Sequence, residues 1–215
     1  MIVTFNNLAN DWVIQQNITV ANARHNKLDI ANGSPIVSLN HNQAGYAING
    51  IIANANNSNA ILVLSHGNRN TINGLQPLEF SQKMAAMFGG VGLEHLVNLP
   101  IIMISCDSGV GGQNSLAKRV ATLLNHPVIA PKGSSIFSMS GVAVIDESHS
   151  TEAQNYQDNL VNMYPPVGNQ INALNIFILL SQAVVENHWG TYHSWELINN
   201  FANDYAAVNF ERFNP

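Results

Sequence analysis

Residues 60–67 read AILVLSHG, and residues 100–109 read PIIMISCDSG. Each stretch is a short, continuous apolar run that ends on a reactive side chain, His66 in the first and Cys106 in the second. Runs of this length match strands buried on both faces, as in the middle of a parallel sheet. The sequence between and after them fits that reading. Residues 67–74 are polar and contain glycine, which predicts a loop. Residues 77–88 have helical spacing, with Leu78, Met84, Ala85 and Phe88 as the apolar face. Pro77 suits a first helical turn and Gly89-Gly90 a stop. Residues 106–112 predict a second loop, 113–124 an amphipathic helix and 127–130 (PVIA) a third strand. Strand, helix, strand, helix, strand in this order implies parallel strands with right-handed crossovers. The predicted fold is α/β, three layers, with a mainly parallel central sheet and helices on both faces.

The flanks are less regular. Residues 2–5, 12–20, 35–39 and 46–53 have strand-like content and turn signals between them, which predicts one or two antiparallel hairpins. Residues 136–139 and 141–145 predict another hairpin. Residues 147–169 are polar and read as mostly irregular. Two helices are expected over 171–186 and 192–210, separated at Gly190. The whole, 1–215, reads as one domain with its core over 60–146 and C-terminal helices over 171–210.

Composition narrows the functional classes. Hydrophobic residues make up 46%, but charged residues only 10% and the net charge is −5, against about 25% charged in an average globular protein. Asparagine fills part of the gap, most densely over 53–59 (ANANNSN). With eight Lys and Arg and no basic cluster, the chain lacks the positive footprint that nucleic acid requires. Cys106 is the single cysteine, so neither an intrachain disulfide nor a cysteine-rich zinc site is available. No stretch has the length of a membrane span. The N-terminus has no basic flank before an apolar run, so no signal peptide is expected. Either a cytoplasmic location or export by a signal-independent route fits.

In open parallel sheets, reactive groups collect beyond the carboxyl ends of the strands. His66 and Cys106 both fall at such ends, with one helix between their strands. If the strands are neighbours, the imidazole can activate the thiol and later protonate a leaving amine. The start of the helix after Cys106 would favour a thiolate. Gly67 permits close backbone approach, so its N–H and that of Cys106 are the expected oxyanion donors. A lone strand-end cysteine is more often a small core residue, so the pairing carries the argument.

The segments ILVLSHG and IIMISCDSG resemble the His-Gly and Cys blocks of the caspase-like, or clan CD, cysteine peptidases. CDSG resembles the Cys-x-Ser-Gly of metacaspases, and NSLAKRVATLLNHPVIAPKG is similar to caspase-like domains of bacterial toxins and effectors. The resemblance covers residues 60–133, about a third of the chain. It implies His66 as general base and acid, Cys106 as nucleophile, a Gly67/Cys106 oxyanion hole, no cofactor and a protein or peptide substrate, in a bacterial effector or toxin-associated setting. Two departures stand out. Ser65 replaces the first glycine of Gly-His-Gly, and there are too few basic residues for inositol-phosphate activation. In such a fold the first substrate pocket lies beside the cysteine loop and the strand after the third parallel strand, here residues 134–140, which nominates Asp107, Ser108, Ser138 and Asp146. An acidic group there would favour Lys or Arg in the substrate.

Other signals are rejected. GVGG at 109–112 lacks the full GxGxxG spacing. His188 and His193 have no acid or cysteine cluster and read as surface residues. His149 reads as a loop residue in a polar stretch. No GxSxG elbow is present. Two alternatives remain beside the peptidase: deamidation or acyl transfer on the same scaffold, and an inactive caspase-like binding module.

Overall fold

The computed structural model describes residues 2–5, 36–39, 60–88, 99–138, 140–165 and 170–215. The expected strands at 12–20 and 46–53, the loop at 53–59, the Gly89-Gly90 stop and Met139 lie outside them. Among the described residues the strands are β1 (Ile2–Phe5), β2 (Ile36–Leu39), β3 (Ile61–Leu64), β4 (Ile101–Ile104), β5 (Val128–Pro131), β6 (Gly133–Ser138), β7 (Gly141–Asp146), β8 (Gly190–Ser194) and β9 (Phe210–Phe213). The helices are α1 (Pro77–Phe88), α2 (Leu116–Leu124), α3 (Ser150–Met163), α4 (Gln170–Glu186) and α5 (Trp195–Asn200).

The fold is mixed α/β with a mainly parallel sheet. Six strands run in the order β2-β1-β3-β4-β5-β9. β3 and β4 are buried at every position, as apolar runs without alternation require. They pair in parallel, with Ile61 opposite Ile101 through to Leu64 opposite Ile104. The crossover helices α1 and α2 pack against each other. α1 buries Phe80 and Met84, while Leu78 and Ala85, both assigned to its apolar face from sequence, are exposed.

Three expectations are corrected. β1 is paired in parallel on both sides, with β2 and β3, which leaves it no edge for a hairpin to 12–20; the hairpin of 35–39 with 46–53 lies outside the described residues. Residues 147–169, expected to be irregular, contain α3; among its described side chains only Ala153 and Leu160 are fully buried, with Tyr156 packed beside them. So few apolar residues left the helical period invisible. The helix expected over 192–210 is instead the end of β8, the short α5, a stretch without regular structure, and the start of β9, which adds antiparallel to β5.

The second sheet, β6-β7-β8, is antiparallel. It forms a wall between two cores. Phe137, Val142 and Val144 join the main core, while Ile136, Ala143 and Ile145 meet α3 and α4. Adjacent residues point to opposite faces of a strand, so both faces of this sheet are apolar. Trp195 is fully buried in the main core and donates its indole N–H to the Ser138 carbonyl at 3.2 Å. His193, read as a surface residue, is buried; its Nε2 meets the Thr191 hydroxyl at 3.0 Å, and Phe201 and Phe210 lie edge-on to its ring. His188 is exposed. Among the described residues no helix is long and apolar enough to cross a membrane.

Candidate active site

His66 and Cys106 leave neighbouring strands at equivalent positions. The pairing of β3 with β4 continues one residue further, as the Ser65 N–H donates to the Ile104 carbonyl at 3.3 Å. The next residue on each strand is the histidine or the cysteine. The sheet register therefore brings the two predicted catalytic residues to one edge.

The histidine loop is closed by its own residues. The Asn68 side-chain oxygen accepts from the N–H groups of Asn70 (2.8 Å) and Thr71 (2.9 Å), the local turn that asparagine favours. The Asn68 N–H donates to the Thr71 carbonyl and the Asn73 N–H to the His66 carbonyl, at 3.0 and 2.8 Å. Ile72 anchors the loop in the core and His66 is exposed. The bridge between Gly67 and Ile72 uses the flanking amides, not the Gly67 N–H. Ser65, the departure from Gly-His-Gly, is fully buried, and its hydroxyl donates to the His66 carbonyl at 2.9 Å.

The cysteine loop is held from outside. Cys106 is half-buried, and its thiol exchanges two long contacts with Ser135, donating to the carbonyl and accepting from the N–H, each at 3.4 Å. Asp107 adopts the left-handed conformation, φ 56°, and its N–H donates to the Gly133 carbonyl at 2.9 Å. Gly109 donates to the Pro131 carbonyl at 2.8 Å, and a Cβ there would lie 2.8 Å from that same oxygen and 3.0 Å from the Ala130 carbonyl. Only a glycine backbone approaches β5 this closely.

Burial pushes the Cys106 thiol above its ordinary range; the Ser135 backbone opposes that shift and the Asp107 charge adds to it. The expected help from a helix N-terminus is absent at this distance. A 3-10 turn, Gly112–Asn114, follows the loop, and α2 starts only after Ser115, whose hydroxyl accepts from the Lys118 N–H. The helix-end field does not reach far beyond its first turn.

The two loops touch through Gly67 and Ser105. A Cβ on Gly67 would fall 2.0 Å from the Ser105 Oγ and 2.9 Å from the Thr71 carbonyl. Among the described residues, Ser105 Oγ and Ser135 Oγ are buried without a hydrogen-bond partner. Ser135 falls within the 134–140 segment expected beside the pocket, whereas Ser105 was overlooked; its signal was its place within the cysteine motif.

The predicted pocket residues separate. Asp107 accepts from the Ser134 hydroxyl at 3.4 Å. Asp146 pairs with Gly133, the residue whose carbonyl accepts from the Asp107 N–H, so the main chains of both acidic residues meet at Gly133. Asp146 also accepts from the Asn209 side chain at 2.5 Å. Ser108 is fully buried, with its hydroxyl on the Ser105 carbonyl at 2.7 Å, and so shapes the loop. Ser138 lies three residues beyond Ser135 along β6, about 10 Å at the usual rise, with its hydroxyl on the Gly141 carbonyl at the hairpin turn. Two residues not nominated from sequence do reach the site. Arg69, in the histidine loop, forms an ion pair with Glu147, next to Asp146, and also feels the Asp107 charge. Among the described residues no group of three or more His, Cys, Asp or Glu is placed to hold a metal ion.

The chain belongs to the family described as a domain of unknown function (DUF8616), whose model matches residues 37–145, just over half of the 215 residues and including both loops. No curated protein matches the chain.

Proposed function

We propose that the chain is a cysteine peptidase of the caspase-like type, with a three-layer α/β/α arrangement around its parallel sheet. The observation that carries the reading is the register of β3 on β4, which delivers His66 and Cys106 to adjacent strand ends. In this reading His66 takes the proton from the Cys106 thiol, and the thiolate attacks the carbonyl carbon of a peptide bond. The developing oxyanion is met by the Gly67 and Cys106 N–H groups. The tetrahedral intermediate collapses as the imidazolium protonates the leaving amine, leaving a thioester on Cys106. Water, deprotonated by His66, releases the acid and restores the thiol. Substrate binding has one further task, to draw the thiol away from Ser135 and offset the burial that keeps it protonated. Asp107 and Asp146 would favour a cationic side chain beside the scissile bond.

A second reading has its own support. The raised thiol pKa and the contacts of Cys106 with Ser135 suit a structural cysteine in a binding module. The same dyad would also support deamidation or acyl transfer. Incubation with a proteome-derived peptide library separates these. New N-termini that vanish with Cys106→Ala support the peptidase. Glutamine converted to glutamate without chain cleavage supports a deamidase, joined peptides an acyl transferase, and no Cys106-dependent product the binding module.

A further inference from the structure

The turn from the histidine loop into α1 and the outer side of α2 enclose an open groove of about 500 Å³. Pro77 and Leu78 form one wall, and Lys118, Arg119 and Leu123 the other. The groove is built from the segments that follow the two loops: α1 follows the histidine loop directly, and Gln113, in the 3-10 turn after the cysteine loop, completes the lining.

Its chemistry is mixed. Leu78 is 53% exposed and Leu123 48%, and both line this concave surface, where apolar area left in water marks a binding site. Lys118 donates to the Asn214 carbonyl at 2.8 Å; Arg119 donates to the Ser115 and Arg69 carbonyls at 3.4 and 3.3 Å. These partners are main-chain carbonyls, so neither cation faces a counter-charge in the contacts the described residues give it. The nearby Glu79 is engaged with the N–H of Gln76 at 3.1 Å. In a chain of net charge −5 with only eight Lys and Arg, two adjacent cations beside two bare leucines form a distinct local surface.

We infer that this groove is a docking subsite for the protein substrate, taking a segment remote from the scissile bond that presents an apolar side chain flanked by carboxylates. The inference rests on the peptidase reading for the identity of its occupant. The apolar side chain covers Leu78 and Leu123, and the carboxylates supply the missing counter-charge to Lys118 and Arg119. Because Arg119 also holds the Arg69 carbonyl, the occupied groove adjoins the loop that carries His66.

The test uses the full chain with Cys106→Ala, which removes turnover. The probe is a fluorescein-labelled peptide of alternating Leu and Glu, with a Leu/Lys peptide as control. Fluorescence anisotropy is expected to report saturable binding of the acidic peptide, weakened by raised salt and about tenfold by Lys118→Glu or Leu123→Glu. The basic peptide is expected not to bind. Both altered side chains lie on the surface; Lys118→Gln and Leu123→Ser repeat the test if a glutamate lowers the melting temperature. Equal binding of the two peptides, or binding unchanged by the groove substitutions, overturns the inference. So does a dimer in sedimentation that Leu123→Glu converts to monomer, since a second copy would then be the occupant. Thiol-probe labelling of the unaltered chain reports on the dyad separately. Its failure with peptide binding intact counts against the peptidase and leaves the docking surface for acidic segments standing.

Discussion

The loop after β3 turns its histidine outward, whereas the loop after β4 folds its cysteine inward against β6. The first is closed by Asn68, Asn73 and the Ile72 anchor, all its own residues. The second hangs on neighbours: Gly133, Pro131 and Ser135 each hold one of its residues. Changes in β5 or β6 should therefore move the cysteine and leave the histidine in place. Each loop also depends on one glycine, and those glycines differ in what they touch.

The contrast is broken most strongly at Gly109. Gly109→Ala drives a methyl group against two main-chain carbonyls of β5 that cannot rotate away. Urea unfolding is expected to show a loss near the top of the range of about 1–3 kcal/mol for overpacking, together with loss of activity. Unchanged stability would mean that the loop is not clamped to β5. Gly67→Ala should cost less, about 1–2 kcal/mol, because its nearest clash is with the Ser105 hydroxyl. Adding Ser105→Ala should recover part of that loss, though the Thr71 carbonyl still crowds the new methyl group. Additive losses in the double-mutant cycle would show that the two loops are not in contact there.

A third prediction concerns the buried thiol. In the free protein, alkylation of Cys106 by iodoacetamide should rise with pH only above the range of an ordinary thiol, because burial favours the protonated form. The folded state holds its proton to higher pH than the unfolded chain. Stability from this group is therefore present below the ordinary thiol pKa and declines as pH rises from there towards the folded value. Cys106→Ala should remove that part of the alkaline decline in melting temperature. Alkylation at neutral pH faster than in the urea-unfolded chain would contradict the account. The smallest effect belongs to the ion pair between the loops' surroundings. Arg69 and Glu147 are more than half exposed, so Arg69→Ala should barely shift the melting temperature. On the proposed peptidase reading its effect should appear instead as a change in KM for cationic peptides.

How much of this was legible follows from where the apolar residues lie. β3, β4 and β5 announce themselves as apolar runs, and the order of elements between them dictates a parallel sheet. With β3 and β4 as neighbours, that order puts His66 and Cys106 on one edge. The C-terminal region gave weaker signals. Among its described side chains, α3 buries few and only part of one face, so its period is faint. The stretch holding β8, α5 and β9 has Tyr192, His193, Trp195, Ile198, Phe201 and Phe210 at spacings that also suit one helix. Its true form depends on pairing with β7 and β5, which are distant in sequence. The site divides in the same way. The strand-end positions of His66 and Cys106 follow from local pattern, while the contacts of Ser135, Glu147 and Ser138 depend on how the β6-β7 hairpin docks.

The central claim is that His66 and Cys106 act as a pair, and covalent labelling with peptidyl acyloxymethyl ketones tests it most directly. The account predicts that labelling maps to Cys106, disappears in Cys106→Ala and slows at least tenfold in His66→Ala, while the melting temperature of His66→Ala, altered at an exposed side chain, stays close to that of the unaltered chain. Labelling of Cys106 at the same rate with and without the imidazole, or no labelling at all, would contradict it.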